Sequence, residues 1–407
     1  MRILAIETSC DETGVAILEC VGDEQSANFT VLSHALNSQI QNHIEFGGVY
    51  PMVAKREHAR ILVPLLENAL EGAEMLREST QTLDQDVQTR LGTLLEREAD
   101  MAEAFITFIT ETERPQIDAI AVTHGPGLEP ALWVGVNFAQ ALALAWNIPL
   151  VPVDHMEGHL LVALCKRKSE DSSDTKEVLA IENVAFPILG LLISGAHTEI
   201  NLMEEWLLYR RLGETRDDAV GEAFDKVGRM LNFPYPGGPV VASYAQKSRQ
   251  GMPDASANPF KLPRPMIDSP NFDFSFSGLK TAVLYTIKDL LLQKPELPEE
   301  DKELLSRAFE DAAADVLVSK ISRALEETQA QTLAIGGGVS ANQYFHTRFE
   351  EMLAAKFPYV ELHVPPTGLT GDNGIMIGIA GFYRFLRKEY AEVGSVVANG
   401  KLRLAST

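Results

Sequence analysis

Ile3-Leu4-Ala5-Ile6-Glu7-Thr8-Ser9-Cys10-Asp11-Glu12-Thr13-Gly14 opens the chain and leads directly into Val15-Ala16-Ile17-Leu18. The first run is uniformly apolar, as a strand buried on both faces requires. The second apolar run follows a polar turn, so residues 2–7 and 13–19 are expected to pair as antiparallel strands, with a third at 30–36. A simple hairpin needs only one or two turn residues. Here hydroxyls and carboxylates crowd the tip, and Ser9, Asp11 and Glu12 stand out. Amides and hydroxyls at such a tip suit a phosphate, carboxylates suit a metal or a substrate, and an ordinary polar turn is the plain alternative.

Working outward, residues 51–75 carry the apolar spacing of a long helix (Ile61, Leu62, Leu65, Leu66, Leu70). From Glu67 to Arg114 there are twelve acids and four bases. Residues 76–114 therefore read as an acidic, solvated helical insertion. The pattern then alternates: strand 117–123, helix 130–146, strand 150–153 and a helix from His155. A second polar insertion spans 166–184, and 186–194 is a pure apolar run. Helices are expected at 217–231, 278–292, 300–328, 341–355 and 372–388, with strands at 332–335 and 360–364. This order predicts an α/β chain of two halves: 1–150, 151–371, and a C-terminal helix and tail, 372–407, returning to the first half.

The chain has 407 residues, 35 Lys+Arg and 57 Asp+Glu, for a net charge of −22. Bulk charge does not favour a polyanion. Two local basic sets exist, Lys55, Arg56 and Arg60, and Lys166, Arg167 and Lys168. Three unpaired cysteines exclude a disulfide framework and a cysteine zinc site. No signal-peptide pattern or membrane-length apolar run is present, so a cytoplasmic protein is expected.

Asp154-His155-Met156-Glu157-Gly158-His159 is the sharpest local pattern. A helix places His155 and His159 on one face, within reach of one metal ion. Asp154 and Glu157 fit a capping box. The pair needs an oxygen ligand, and Asp372 is a candidate, unless it is merely the cap of the last helix. Two other loops follow buried strands. Ile193-Ser194-Gly195-Ala196-His197-Thr198 is either a ligand turn or a tight β-turn. Gly336-Gly337-Gly338 bares backbone at a helix start, for a ligand or for close packing.

Glu7–Gly14, Gly47-Gly48-Val49, Arg56-Glu57-His58, Gly125–Leu128, His155–His159, Ser194–Thr198, Gly221–Lys226, Tyr235–Pro239, Phe274–Lys280, Gly336–Asn342 and Asp372-Asn373 occur in one succession. That succession resembles the tRNA threonylcarbamoyladenosine transferase family, TsaD in bacteria, once labelled a glycoprotease family. The resemblance implies an actin-like two-domain ATPase fold of the sugar kinase and Hsp70 superfamily, each half ribonuclease H-like, with the ligand in a central cleft. It implies transfer of threonylcarbamoyl from threonylcarbamoyl-adenylate to the exocyclic amine of the adenosine 3′ of the anticodon, in tRNAs reading codons that begin with A. His155, His159 and Asp372 match its metal ligands, one divalent ion expected to be iron(II), with zinc or magnesium as alternatives. Leu192, Ile193, Ser194, Gly195, Ala196, Asp225, Gly238 and Asn342 match its substrate positions, with Ser9 and Gly337 on the adjoining loops. Asp11, Glu12 and His197 are the candidates for orienting the threonyl group or moving the amine proton. The expected helpers are a catalytically inactive paralogue and a small P-loop ATPase, with no membrane. Two residues depart from the family pattern: Ala196 replaces a second glycine, and Asp154 replaces a histidine. A small-molecule carbamoyltransferase and a nucleotide-binding scaffold are the competing readings. The absence of a His-Glu-x-x-His arrangement argues against a metalloprotease.

Overall fold

A computed structural model describes residues 1–168, 176–252, 254 and 257–404, apart from the side chain of Asp100. The chain forms two units, Met1–Val184 with Pro365–Leu404, and Ala185–Val364.

In the first unit, β1 (Arg2–Glu7) lies at the centre, and Ile3 through Ile6 are fully buried. It pairs antiparallel with β2 (Glu12–Gly22), which pairs antiparallel with β3 (Ser26–Ser38). On the other side β4 (Ala119–Gly125) is parallel to β1, and β5 (Leu150–Asp154) is parallel to β4. Two further strands, β6 (Lys166–Arg167) and β7 (Val178–Glu182), extend the sheet beyond β3.

After β3 come α1 (Ile40–His43) and α2 (Pro51–Gly72); α3 (Gln85–Leu94), α4 (Ala99–Glu111), α5 (Glu129–Trp146) and α6 (His155–Ala163) follow. In the second unit, β8 (Ile188–Ile193), β9 (Thr198–Glu205) and β10 (Leu208–Glu214) form an antiparallel meander. β11 (Thr332–Gly336) is parallel to β8, and β12 (Glu361–His363) is parallel to β11. The helices of this unit are α7 (Val220–Met230), α8 (Gly237–Gly251), α9 (Ser277–Leu291), α10 (Glu299–Thr328) and α11 (Gln343–Lys356). Helix α12 (Gly374–Leu386) belongs to the first unit, where it packs on the sheet. Gly374 and Gly378 make that approach possible, since a Cβ at either would collide with Ala16 or Leu18 of β2.

The orders β5-β4-β1-β2-β3 and β12-β11-β8-β9-β10 are the same, with the same mixture of antiparallel and parallel pairs. Each is ribonuclease H-like, so the expected duplicated α/β architecture is present.

Two expectations are corrected. The second unit begins at Ala185, not at 151, and ends at Val364, not at 371. The physical reason is pairing: β5 is held by β4, and β7 by β3 through Ser26–Thr30. The 166–184 insertion thus contributes β6 and β7 to the sheet of the first unit, and residues 169–175 lie outside the described residues. Nor is 76–114 a solvated excursion. Leu91, Leu95, Met101, Phe105, Phe108 and Ile109 are buried in the core of the first unit. Most of its described acids are exposed on an amphipathic pair of helices, with Glu98 buried against Lys55, and net charge alone conceals the apolar stripe.

Candidate functional site

In the first unit the site grows from the ends of β1 and β5 and the start of α12. Asp154 is the N-cap of α6; its Oδ1 accepts from the backbone of Met156 (2.8 Å) and Glu157 (3.3 Å). The capping-box expectation fails at Glu157. Its carboxylate is instead bound bidentately by Arg384 of α12, at 2.9 and 2.8 Å. Gly158, costly in a helix, lets α6 pack against Met376 and Ile377 of α12, where a Cβ would stand only 3.1–3.2 Å from their side chains.

The capped helix presents both imidazoles to one oxygen. His159 Nε2 lies 3.0 Å and His155 Nε2 3.4 Å from Asp372 Oδ1. The two rings meet edge to face with centroids 4.7 Å apart. Asp372 is not the helix cap, because Asn373 takes that role by accepting from Met376 N at 3.0 Å.

Sequence reasoning left out Glu7, although a carboxylate ending a buried strand was a usable signal. Its Oε1 accepts from Ser9 N and its Oε2 from Thr123 Oγ1, both at 2.5 Å. Oε2 also lies 3.1 Å from His155 Nδ1. This carboxylate fixes the ring so that Nε2 faces Asp372, the arrangement that orients metal-binding histidines.

Among the described residues, His155, His159 and Asp372 are the group placed to share an ion, with ligand atoms all within 4.8 Å of one another. The buried His159 Nδ1 has no hydrogen-bond partner, so only Nε2 is engaged. Two imidazoles directed at a single carboxylate oxygen fit a divalent cation, and an N,N,O set suits iron(II) or zinc better than magnesium.

The electrostatics agree. Burial works to raise the Asp372 carboxyl, but the two histidines outweigh it and hold it well below its usual range. Burial opposes charge on His155, yet Asp372 and Glu7 raise it well above the usual value. Glu12 is pushed up to about 9 by burial, then by Asp372 and Asp11. Carboxylates thus crowd this pocket, and a bound cation would relieve their mutual repulsion. The loop itself is braced by His58, which burial keeps neutral. Its Nε2 donates to Cys10 O at 3.0 Å, so its Nδ1 accepts from Thr13 Oγ1 at 2.7 Å.

The second unit holds a cavity of about 660 Å³, lined in part by Gly195, Asp225, Gly238, Glu310 and Asn342. Asp225 Oδ1 accepts from Gly238 N at 2.9 Å. Asn342 caps α11 through Oδ1 and donates from Nδ2 to Glu310 at 2.6 Å. Arg249, missed in the sequence, pairs with Glu310 at 2.5 Å and lies 3.3 Å over the Tyr344 ring.

The other expected positions stand apart from this wall. Leu192 and Ile193 are core residues of β8. Ser194 closes the β8–β9 turn, its Oγ accepting from Ala196 N and His197 N. Ala196 is exposed and is not among the residues with positive φ, so its methyl demands no special turn. Gly337, with φ of 91°, is required by packing, since a Cβ would overlap the Ile193 carbonyl. Of the acid–base candidates, Asp11 and Glu12 belong to the first unit with Ser9, and His197 to the second. The basic sets are largely paired: Lys55 with Glu98, Arg60 with Glu57, Arg167 with Glu177, Lys168 with Glu182.

Two ribonuclease H-like units in one chain define an actin-like α/β protein, and this one carries a nitrogen–oxygen donor set that could hold a cation. Residues 30–82 and 101–379 match the family described as TsaD, tRNA N6-adenosine threonylcarbamoyltransferase. The chain belongs to that family of transferases. A relative of that name from Burkholderia ambifaria (strain MC40-6) is 41% identical over 389 residues, 95% of this chain and 93% of its own. Another from Lactiplantibacillus plantarum is 38% identical over 390 residues, 96% of this chain and 92% of its own. The ROK hexokinase of Thermus thermophilus is similar at a TM-score of 0.41 with 10% identity, covering 96% of this chain and 100% of its own.

Proposed function

We propose that this chain transfers a threonylcarbamoyl group from threonylcarbamoyl-adenylate to N6 of the adenosine 3′ of the anticodon, in tRNAs reading codons that begin with A. The observation that carries this reading is the convergence of His155 and His159 on Asp372 in a chain that matches the transferase family along most of its length. In the reaction, the adenosine amine attacks the carbamoyl carbon and the bond from that carbon to the phosphate oxygen breaks. Adenylate leaves and the amine gives up one proton.

His155, His159 and Asp372 would hold one divalent cation, with iron(II) favoured and zinc next. When bound, such an ion supplies Lewis acidity toward a carbonyl oxygen. Glu7 fixes the His155 ring, and Arg384 fixes the helix that carries both histidines. Glu12 is a candidate for orienting the threonyl group through a hydrogen bond. Asp11 is then the acceptor for the amine proton.

In the second unit, the backbone at Gly195 and Gly238 and the carboxylate of Asp225 offer polar contacts to the adenylate. Ser9, Ser194 and His197 are candidates for further contacts. Leu192, Ile193 and Gly337 act through packing behind these groups, Ala196 lies in the β8–β9 turn beside Gly195, and Asn342 orders the start of α11. His197→Ala leaving transfer intact at saturating substrate removes His197 from this scheme.

The pairing of most local lysines and arginines supports help with tRNA from other proteins, an inactive paralogue and a small P-loop ATPase. Among the described residues no helix is long and apolar enough to cross a membrane. We place the protein in the cytoplasm, with its tRNA. The test is complementation of bacteria depleted of their own transferase, with threonylcarbamoyladenosine in total tRNA read by mass spectrometry. Modification is expected with the unaltered chain and not with His155→Ala/His159→Ala. Absence of modification with the unaltered, folded chain would turn the assignment toward a small-molecule acceptor.

A further inference from the structure

The segment between β3 and α2 is tied at both ends to the β1–β2 loop. Gln39 N donates to Asp11 O at 2.8 Å, and its side-chain amide lies 3.3 Å from His58 Nδ1. His58 in turn binds Cys10 O and Thr13. Between these anchors the chain makes α1, a single 3₁₀ turn at Ile44–Phe46, and a reversal at Gly47 with φ of 64°. The buried His43 holds the reversal by accepting from Tyr50 N at 3.3 Å.

What this scaffold presents is not used in folding. Phe46 and Tyr50 are 50% and 51% exposed, and Met52 is 57% exposed. The two rings are stacked, with centroids 5.5 Å apart and planes 25° from parallel. Isolated exposed apolar residues are ordinary, but a preformed aromatic stack with further apolar side chains next to a polar site is a binding surface. Arg56 is exposed one helical turn after Met52 and on the same face. Its neighbours Lys55 and Arg60 are already paired with Glu98 and Glu57.

We propose that Phe46 and Tyr50, with the exposed Arg56 further along α2, form the platform on which unpaired bases of the tRNA anticodon loop stack. This rests on the transferase reading above. Single-stranded loops are recognised by stacking splayed bases on aromatic side chains, with a guanidinium for the phosphate. An adenosine can offer N6 to a protein only when it is out of a helix, so a stacking surface anchored to the Asp11–Thr13 loop serves that requirement. A stacked pair with an exposed guanidinium on the adjoining helix matches a base and its phosphate better than the broad apolar face of a protein interface.

The test compares the unaltered chain with F46A/Y50A, F46L/Y50L and F46Y/Y50F, all at exposed positions and each checked for an unchanged melting curve. Transfer from threonylcarbamoyl-adenylate to an unmodified tRNA transcript is measured. Binding of the anticodon stem-loop with 2-aminopurine in the loop is followed separately by fluorescence quenching. For the alanine and leucine variants, KM for tRNA should rise at least about 5-fold, the loss of one base's stacking. Both kcat and KM for the adenylate should be unchanged, quenching should be lost, and the aromatic swap should behave as the unaltered chain. An unchanged KM in F46A/Y50A overturns the proposal. So does leucine substituting fully for the rings, or a defect that vanishes on adding excess helper subunit, which would make the patch a protein interface. If the unaltered chain transfers nothing, the transferase reading fails, while the quenching measurement still judges the platform.

Discussion

Arg384→Met should destabilise the first unit and loosen its cation centre. Glu157 is fully buried on α6, between the two histidines in sequence, and both its oxygens are bonded by Arg384. Removing the guanidinium strands a carboxylate away from water, a change that costs about 3–5 kcal/mol. In a unit of this size, each kcal/mol moves the midpoint by about 2–4 °C. The expected fall is on the order of 10 °C. The other partner of Arg384, the partly exposed Glu389, adds little. If the stranded charge is the cause, Glu157→Leu/Arg384→Met should recover most of the loss, because an apolar pair of similar volume roughly replaces a buried ion pair. Calorimetric melts of both variants, with and without iron(II) or zinc, measure this. The single variant should also bind the cation more weakly, since α6 carries two ligands and α12 follows the third. A fall below about 2 °C, or a double variant no better than the single one, would refute the reasoning.

His159→Gln should abolish stoichiometric cation binding by elemental analysis, together with the cation-dependent rise in melting temperature. In the cation-free protein, Glu12 binds its proton from the ordinary carboxyl range, 4.5, up to about 9. The folded state therefore holds a proton that the unfolded state releases, and stability falls as pH rises through that window. Glu12→Gln should raise the melting temperature at pH 8 and change it little at pH 4. Gly238→Ala should leave stability unchanged, its Cβ meeting nothing closer than 3.6 Å, whereas Gly337→Ala should lower it, which paired melts would show. Phe105→Ala in the acidic segment should cost about 3–5 kcal/mol in urea unfolding, because that ring is core.

The parts of the fold that were legible in the sequence are those set by local pattern. The doubly buried β1, the capped start of α6 and the glycine turns are written in adjacent residues. What was misread depends on distant partners. Glu157 fits a capping box by spacing, but an arginine more than two hundred residues away supplies a stronger partner. Asp372 and Asn373 are both competent caps, and only the fold decides which one is left to face the histidines. The sequence leaves Gly337 open to a ligand or to packing, and the carbonyl that requires packing belongs to another strand. The acidic charge of 76–114 was visible, while the stripe through Leu91, Phe105 and Phe108 becomes evident only once α2 and α5 are beside it.

The return of the chain to its first unit at Pro365 has a consequence for biosynthesis. Asp372 is joined to the growing chain roughly 200 residues after His159. At about 5–20 residues per second that is an interval of about 10–40 s. Throughout it the nascent first unit lacks its last helix, its oxygen donor and the arginine that pairs with Glu157, while the whole second unit is being made. The donor set of His155, His159 and Asp372 is therefore assembled only near the end of synthesis, and a prematurely terminated chain emerges without its oxygen donor.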